Sequence, residues 1–567
     1  MQRNLKRLER DDYDVVIVGG GIYGACAAWE AALCGLSVAL IEAGDFGHAT
    51  SSNSLRTLHG GLRHLQRLDV PRMRESVRAR REWLRLAPHL AKPLRFVLPT
   101  FGHGLKGPEA MRAALCVNDL VSFDRNRGVG ASGTLPPGVV WSGRLARAIL
   151  TGTRTPGCNG AATWFDAVCT NTERLLFSVV ADAVRAGACA ANYVRAIGLT
   201  RLDGAIVGVQ ARDELTGAEL DIRTRCVINA TGPWVGDWMG VAPSSRKPLY
   251  CASKAFNLLT RPLPFKEGIG LSVRQRSTGR DHTYFVLPWN GRSLVGTRHS
   301  KCDPQARSAS VTRQEVVEFL DDLNRVLGRN RIGGSDVLGV YSGVLPEKGA
   351  RGDTEVELER TPQIVDHAGD GASGAFSVVG VKWTNSWPVA ERVVRSACQF
   401  LRKPVRHPGS QTSLWGASRV AEAGARRRWR LDADALAHLE EMYGPERGAL
   451  FNLLDQDETL TARMVPDMPV IKGQVLHAVR VEMAVQLADI VMRRTPLYLS
   501  ETLDSSTLSA CAMIAARELR WDKREIAAQI ERVESLLRAF RGPLFSPSVP
   551  VTPQWADKDL RCQSISP

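Results

Sequence analysis

The chain has no long apolar segment, and its first residues do not predict a leader. None of its stretches approaches the roughly 18 consecutive apolar residues that a membrane-spanning helix needs. Its start, residues 1–10, lacks the apolar region of a signal peptide. We therefore expect a protein that stays inside the cell, in the cytoplasm or at the inner face of the cytoplasmic membrane.

Closely spaced cysteine pairs are also absent. The 12 cysteines are scattered through the 567 residues, and none belongs to a C-x-x-C pair. Zinc sites and disulfide-stapled extracellular domains show a different cysteine distribution. The sequence therefore predicts no metal site, and it predicts reduced, mostly buried thiols.

Acidic residues are too few to balance the basic ones. The net charge is +15 and the sequence pI is near 9.5, which favours anionic partners. The basic segment 426–430 is a candidate for docking on anionic lipid, although solvated helix faces rich in arginine explain the same composition. Nothing in the chain resembles a base-reading module, so nucleic acid is disfavoured as a partner.

What the sequence does contain is a nucleotide-binding turn near its start. Residues 15–18 form an apolar, β-branched run, as in a strand buried on both faces. The run ends in Gly19, Gly21 and Gly24, which have the spacing G-x-G-x-x-G. Such glycines permit a tight turn and the close approach of a pyrophosphate to the N-terminus of the next helix, where the helix dipole favours phosphate.

An acidic residue completes this motif. A second strand, predicted at residues 37–41, ends in Glu42, about 20 residues after the glycines. A carboxylate in that place accepts hydrogen bonds from a ribose diol and repels the 2′-phosphate of an NADP-type ligand. The order of strand, glycines, helix, strand and carboxylate predicts a dinucleotide site, but it does not separate NAD from FAD.

Two later strand ends favour FAD. Residues 226–234 form an apolar strand that ends in Ala-Thr-Gly at Gly232, a pattern typical of flavoproteins in which the chain returns beside the FAD. Residues 376–384 form another buried strand, which breaks at Gly380 and continues to Thr384. Both breaks suit the carboxyl ends of parallel strands, where α/β sheets bind their ligands.

Several longer segments resemble the FAD-dependent glycerol-3-phosphate dehydrogenase family, in its aerobic, quinone-linked form. These segments are residues 50–65, 81–99, 229–234, 341–344 and 482–495. The likeness spans nearly the whole chain. It implies an α/β fold, with a Rossmann-like FAD-binding domain of the D-amino-acid-oxidase-like type, an α+β substrate domain and a C-terminal all-α domain.

The length of 567 residues predicts about three domains. We expect a discontinuous FAD-binding domain and a substrate domain, followed by a helical domain in which apolar residues recur at helical spacing from Leu476 to Ile490. The expected bounds are 12–105, 155–235 and 340–402 for the FAD-binding domain, 236–339 with part of 106–154 for the substrate domain, and 403–567 for the helical domain.

The resemblance implies oxidation of a secondary alcohol of a small anionic substrate, foremost sn-glycerol 3-phosphate to dihydroxyacetone phosphate. A base takes the hydroxyl proton, hydride passes to flavin N5, and a quinone reoxidises the flavin. Relatives of this kind work at membrane surfaces. Peripheral membrane contact and a homodimer are therefore further expectations.

The resemblance also implies roles for individual residues. Arg63 matches the arginine that contacts the substrate, Lys382 matches the lysine beside the flavin ring, and Arg360 matches a second arginine of the anion pocket. Lys254 matches a retained pocket lysine. Guanidinium groups suit phosphate because their donors engage its oxygens two at a time. The hydroxyl cluster expected near the flavin consists of Thr50, Ser51 and Ser52.

The chain departs from the family pattern in the expected substrate pocket. Leu345 stands where an arginine is typical, and Asn257, which has no proton affinity near neutral pH, replaces a histidine that is a candidate base. Trp383 alters the turn that carries the lysine. Arg298 and His299 are additions, so they are candidates to replace the lost charge and the lost base.

These departures leave the substrate open. One alternative is an amine, amino-acid or 2-hydroxy-acid oxidase of the D-amino-acid-oxidase-like class, which passes electrons to oxygen. Another is a flavin-binding protein without catalysis. His59 lies in the best-matched segment, where a structural hydrogen-bonding role is the favoured interpretation.

Overall fold

The computed structural model describes residues 1–104, 106–236, 249, 251–276, 279–302, 309–348, 356–359, 361–405 and 429–542. The helices in these ranges are α1 (Leu5–Arg10), α2 (Ile22–Leu33), α3 (Val70–Leu86), α4 (Pro108–Val121), α5 (Gly143–Ile149), α6 (Thr172–Arg185), α7 (Arg313–Leu327), α8 (Ser386–Phe400), α9 (Ala433–Tyr443), α10 (Arg447–Gln456), α11 (Lys472–Arg480), α12 (Leu487–Asp489), α13 (Ser505–Leu519) and α14 (Lys523–Arg541). None of them is long and apolar enough to cross a lipid bilayer.

The strands form three sheets. They are β1 (Val15–Val18), β2 (Val38–Ile41), β3 (Thr57–Leu58), β4 (Ala91–Phe101), β5 (Val139–Ser142), β6 (Cys158–Cys169), β7 (Cys189–Ala191), β8 (Val194–Leu202), β9 (Ala205–Asp213), β10 (Glu219–Arg223), β11 (Val227–Asn229), β12 (Ala252–Thr260), β13 (Gly268–Arg274), β14 (Asp281–Trp289), β15 (Arg292–Lys301), β16 (Val337–Pro346), β17 (Gln363–Asp366) and β18 (Ala375–Val379).

The central sheet has the order β17-β18-β11-β1-β2-β7, and its pairings are parallel except for β17 with β18. Val15–Val18 is buried along its whole length, as the apolar run predicted. Helix α2 packs against α6 and α8, and the three helices cover one face of the sheet. This is the predicted Rossmann-like arrangement, and it aligns the carboxyl ends of β1, β2, β11 and β18 along one edge.

The second large sheet contains the strands of the substrate domain. Its order is β16-β12-β15-β14-β13-β4-β6-β3, with β5 paired to β6. Helix α7 packs behind it through the buried ring of Phe319, which meets Phe256 edge-on at 5.7 Å. A separate antiparallel sheet, β10-β9-β8, flanks the central one. The molecule is thus of the predicted α/β class, with an additional antiparallel layer.

The expected domain bounds need correction at four strands. Strands β3, β4, β6 and β16 belong to the second large sheet, although residues 57–58, 91–101, 158–169 and 340–346 were expected in the FAD-binding domain. An apolar strand that is buried on both faces carries no local signal for which sheet it joins. Residues 106–154 supply α4, β5 and α5, which pack on β6.

Helices α9 to α14 form the predicted all-α domain, and part of it packs on the second large sheet. Phe540 meets Tyr341 of β16 with ring centroids 5.1 Å apart. The predicted apolar helix from Leu476 to Ile490 is interrupted, because α11 ends at Arg480 and Met483 has a positive φ of 55°. Asn192 of the central domain donates a hydrogen bond to the Met483 carbonyl at 3.0 Å, so a tertiary contact overrides the local pattern.

The interrupted segment carries buried ion pairs to the central domain. Glu482 lies 2.5 Å from Arg174 of α6, and both side chains are almost fully buried. Burial raises the pKa of Glu482, but the charges of Arg174 and His477 outweigh this effect and lower the pKa to about 2. The helical domain is therefore anchored by a charge pair that is shielded from water.

We predict that Glu482→Ala lowers the free energy of unfolding by about 3–5 kcal/mol at pH 7, because it leaves the buried Arg174 charge without its partner. Urea denaturation measures this change. The wild-type advantage is complete above about pH 4.5, the ordinary pKa of a glutamate, and disappears as the pH falls towards 2, where Glu482 of the folded protein takes up a proton. Glu518→Ala, which breaks the exposed pair with Arg480, is the control and costs about 1 kcal/mol or less. Equal losses in the two variants would refute the anchoring role.

Candidate active site

A cavity of about 800 Å³ is lined by the central sheet, the second large sheet and the helical domain. It lies at the aligned carboxyl ends of the central strands, as expected for an α/β sheet. The structure brings most of the predicted site residues together here. The predicted residues that line the cavity are Gly19, Gly21, Glu42, Thr50, Ser51, Gly232, His299, Gly380, Lys382 and Thr384.

The glycine turn at one end leaves no room for side chains. Gly19 has a φ of +104°, and a Cβ atom there would lie 2.6 Å from the carbonyl oxygen of Ala230. Gly24 does not line the cavity, but a Cβ atom on it would overlap the carbonyl oxygen of Gly19. The glycines therefore let α2 and β11 approach the end of β1, and they present the N-terminus of α2 to the cavity.

The loop after β2 carries the predicted carboxylate. Glu42 accepts hydrogen bonds from the backbone N–H groups of Gly20 at 2.6 Å and Gly44 at 2.8 Å. The Ser51 hydroxyl accepts a hydrogen bond from the backbone N–H of Ile22 at 3.0 Å, at the first turn of α2. Both side chains therefore hold the ends of this loop against the glycine turn while lining the cavity.

The other two predicted hydroxyls have different positions. The Thr50 hydroxyl donates to the carbonyl oxygen of Val344 at 3.2 Å and joins the loop to β16. The Ser52 hydroxyl donates to the carbonyl oxygen of Gly47 at 2.6 Å and does not line the cavity. Ser52 thus supports the loop from behind, whereas Thr50 lies at the cavity wall.

Tyr23, which the sequence pattern did not single out, extends from the glycine turn and holds residues 381–382 at the other end of the cavity. Its hydroxyl donates to the Lys382 carbonyl at 2.7 Å and accepts from the backbone N–H groups of Val381 and Lys382, each at 3.1 Å. A Cβ atom on Gly380 would overlap the Tyr23 ring. The available signal was an aromatic residue inside the glycine turn.

Lys382 lies at the cavity with its Nζ atom 3.0 Å from Nε2 of His64. Burial and the Lys382 charge lower the pKa of His64 to about 4, so the imidazole is neutral at pH 7 and accepts the hydrogen bond. Burial and the charges of Arg63 and Arg72 lower the pKa of Lys382. In the described ranges, Lys382 makes no ion pair with a carboxylate.

Arg63 lies in the turn Leu62–Arg67 and is exposed. It does not line the cavity, but it is close enough for its charge to lower the pKa of both Lys382 and His299. Arg360, the second arginine predicted for the anion pocket, lies outside the described residues. Arg63 and Lys382 together form a cationic rim on this side of the cavity.

His59 lines the cavity beside a buried carboxylate. Its Nδ1 atom lies 3.7 Å from Asp166, and its side chain is 46% exposed. Asp166 is buried and accepts hydrogen bonds from the Gly60 backbone at 2.7 Å and from Arg80, whose charge keeps the pKa of Asp166 below its usual value despite burial. The backbone N–H of His59 donates to the Thr384 hydroxyl at 3.1 Å. Sequence reasoning missed Asp166, although a lone acid in the apolar run of β6 indicates a buried carboxylate with a specific partner.

The opposite side of the cavity is lined by side chains that are uncharged at neutral pH. Asn257, Thr297, His299 and Leu345 extend there from β12, β15 and β16 and together form a neutral wall. The Thr297 hydroxyl donates to the Asn257 side-chain carbonyl at 2.7 Å. Burial lowers the pKa of His299 to about 3, and its buried Nδ1 atom has no hydrogen-bond partner among the described residues.

Two predictions for this wall are corrected by the structure. Lys254 does not reach the cavity, because its ammonium binds Glu315 at 2.8 Å and the Ser310 carbonyl at 2.7 Å beside α7. Arg298 is buried against α7, where it pairs with Asp322 at 3.0 Å. Lys254 is three residues before the cavity-lining Asn257, and Arg298 is next to the cavity-lining His299. Because successive strand residues point to opposite faces, both side chains point away from the cavity.

The donors around the cavity suit an elongated dinucleotide. A glycine turn, a helix N-terminus and Glu42 lie at one end, and Gly380, Lys382 and Thr384 lie at the other. Gly232 also lines the cavity, and a Cβ atom there would meet no protein atom within 4 Å, so the backbone at this point is open to a bound group. These residues fit FAD.

Comparison with known proteins agrees with this fit. Residues 14–396 match the model of the family described as FAD dependent oxidoreductase. Residues 408–526 match the model described as the C-terminal domain of alpha-glycerophosphate oxidase.

Related proteins match along nearly the whole chain. A glycerol-3-phosphate dehydrogenase of Synechocystis sp. is 29% identical over 551 residues, which cover 94% of this chain and 97% of the relative. The mitochondrial glycerol-3-phosphate dehydrogenase of Homo sapiens is 25% identical, over 93% of this chain and 73% of the relative.

A solved structure has the same fold. The glycerol-3-phosphate dehydrogenase of Bacillus halodurans, complexed with FAD, superposes with a TM-score of 0.73 at 22% identity, covering 96% of this chain and 98% of its own. The family match covers the central sheet, the second large sheet and the cavity residues that the two sheets contribute. The chain belongs to the FAD dependent oxidoreductase family and is an FAD-dependent oxidoreductase.

Proposed function

We propose that the protein oxidises sn-glycerol 3-phosphate to dihydroxyacetone phosphate. The observation that carries this proposal lies at the end of the cavity formed by residues 380–384. There the His59 imidazole has a carboxylate partner, Asp166, and the His59 backbone binds Thr384, two residues from Lys382. The full-length relatives named as glycerol-3-phosphate dehydrogenases support the substrate. Bound FAD supplies the two-electron oxidant.

His59 is the proposed proton acceptor. Its Nδ1 atom is oriented by Asp166 at 3.7 Å, which leaves Nε2 to take the proton of the substrate hydroxyl. Asp166 is fixed by the Gly60 backbone and Arg80, so it stabilises the imidazolium that forms. His299 is a poor alternative because its pKa is lowered to about 3.

Lys382 and Arg63 are proposed to hold the anionic group of the substrate. The half-buried ammonium of Lys382 donates a hydrogen bond to the neutral imidazole of His64. Because an ammonium has three donors, it keeps donors for an incoming anion. Arg63 adds a guanidinium, which engages phosphate oxygens in pairs.

We expect sn-glycerol 3-phosphate to bleach the flavin absorbance near 450 nm in an anaerobic titration, because the substrate reduces the bound cofactor. Bleaching by no substrate, with FAD bound, would contradict the proposal and favour a flavin-binding protein without catalysis.

A second prediction concerns the base. His59→Gln should slow anaerobic flavin reduction about 10²–10⁴-fold without loss of FAD, because proton transfer loses its acceptor. Stopped-flow absorbance measures the rate. His103→Gln, which alters a histidine with an 85% exposed side chain, is the control and should reduce at the wild-type rate. Equal rates in the two variants would remove His59 from the mechanism.

The neutral wall favours one second candidate. Leu345 lines the cavity at the position expected to grip phosphate, and Arg298 does not replace the missing charge because it faces α7. An amino acid or 2-hydroxy acid carries a smaller anionic group, which the cationic rim alone accommodates. Bleaching by such acids but not by sn-glycerol 3-phosphate, with hydrogen peroxide released in air, would establish this oxidase function.

We propose further that a quinone in a membrane accepts the electrons. Apolar side chains are exposed at one surface, where α4 contacts the turn Leu62–Arg67 that carries Arg63. Leu68, Leu120 and Phe123 are 82%, 75% and 78% exposed. The Arg74 guanidinium lies 5.1 Å from the Phe123 ring but is paired with Asp124 at 2.5 Å, so this surface offers a lipid interface its apolar side chains. The predicted basic segment 426–430 lies mostly outside the described residues, and the homodimer stays a prediction.

We expect a Leu120→Ser and Phe123→Ser double variant to bind vesicles of phosphatidylglycerol and phosphatidylcholine at least tenfold more weakly, because two large apolar side chains no longer enter the interface. Vesicle cosedimentation measures the affinity. Leu202→Ser removes a 64% exposed leucine on β8 and serves as the control. Unchanged binding of the double variant would exclude this surface.

A further inference from the structure

The helical domain contributes side chains to the cofactor cavity. Gln486, Arg493 and Arg532 line the cavity, although all three lie beyond the residues of both large sheets. Arg493 donates to Asp45 at 2.6 Å, three residues after Glu42. The contribution of the helical domain is therefore at the Glu42 end, where the adenosine half of a dinucleotide lies.

The geometry of this end is fixed by buried charges. Arg494 donates to both carboxylate oxygens of Asp45, at 2.7 and 2.8 Å, and Arg493 donates to Asp489 at 2.7 Å. Asp489 also accepts the backbone N–H of Gln486 at 2.9 Å. The position of Gln486 relative to the loop after β2 is therefore set by a chain of short polar contacts.

Arg532 projects from α14 onto this framework. Its Nη1 atom donates to the Gln486 side-chain carbonyl at 2.6 Å. Among the described residues it forms no ion pair with a carboxylate. A guanidinium has five N–H donors, so donors remain for another acceptor in the cavity. On the facing rim, Arg195 and Arg212 are both paired with Glu214, at 3.1 and 3.3 Å.

We propose that Arg532, positioned by Gln486, binds the adenosine monophosphate half of FAD. A phosphate or a ribose oxygen supplies acceptors for the guanidinium donors that do not bind Gln486. The helical domain then closes the cavity over the cofactor, in addition to packing on the second large sheet. This role depends on FAD binding alone and is independent of which substrate is oxidised.

The test compares three single variants as holoenzymes. Arg532→Ala should release FAD about tenfold faster than wild type. The release rate is measured after dilution from the increase in free flavin fluorescence. Arg532→Lys should restore part of the retention because it keeps the charge but not the paired donors. Arg538→Ala is the control, since Arg538 lies on the same helix, is exposed and reaches only Glu534 at 3.8 Å.

A truncated cofactor identifies the half of FAD that is bound. Apoprotein is titrated with FAD and with FMN, which lacks the adenosine monophosphate half. We expect Arg532→Ala to weaken FAD binding about tenfold and to leave FMN binding unchanged. Equal FAD release from the Arg532→Ala and Arg538→Ala variants would overturn the proposal. Equal weakening of FAD and FMN would overturn it too, because the residue would then act through the fold.

Discussion

The crowding of main chain around Gly19 is the constraint on which the cavity depends. A side chain at residue 19 would meet the Ala230 carbonyl, and one at residue 24 would overlap the Gly19 carbonyl, so β1, α2 and β11 touch backbone to backbone. Tyr23, inside the same turn, holds the chain after β18 through three hydrogen bonds. Segments separated by more than 300 residues therefore meet at one edge of the central sheet, where ligands bind.

The sequence signals that succeeded are short-range. The strand, the glycines and Glu42 of the nucleotide turn lie within 28 residues, so their spacing encodes the geometry directly. The predictions for Lys254 and Arg298 failed because a strand presents alternate residues to opposite faces, and the resemblance did not fix which face meets the cavity. The family segments predicted where these strands lie, but the direction of each side chain depends on how the strands pair in the sheet.

Long-range charge pairs left no signal in the sequence. Arg493 and Asp45 are separated by 448 positions, and each looks like an ordinary surface charge in its own segment. In the structure both are buried, and Asn192, which donates to Asp45 and to the Met483 carbonyl, connects this pair to the point where the predicted helix is interrupted. A buried pair is weak evidence for net stability, because desolvation opposes the attraction. Its value here is geometric, since it fixes where the helical domain meets the loop after β2.

One side of the cavity is neutral and the other is cationic, and this difference sets the direction in which an anionic substrate binds. The neutral wall offers an amide, a hydroxyl, a neutral imidazole and a leucine, so an anionic group gains no ionic contact from these side chains. Lys382, supported by Arg63, lies on the other side and lacks a carboxylate partner among the described residues. Under the proposed function, the anion therefore lies at the cationic rim, and the carbinol end extends past His59 towards the neutral wall. Leu345 then restricts the group attached beyond the carbinol carbon, and a second charged group on the substrate is disfavoured.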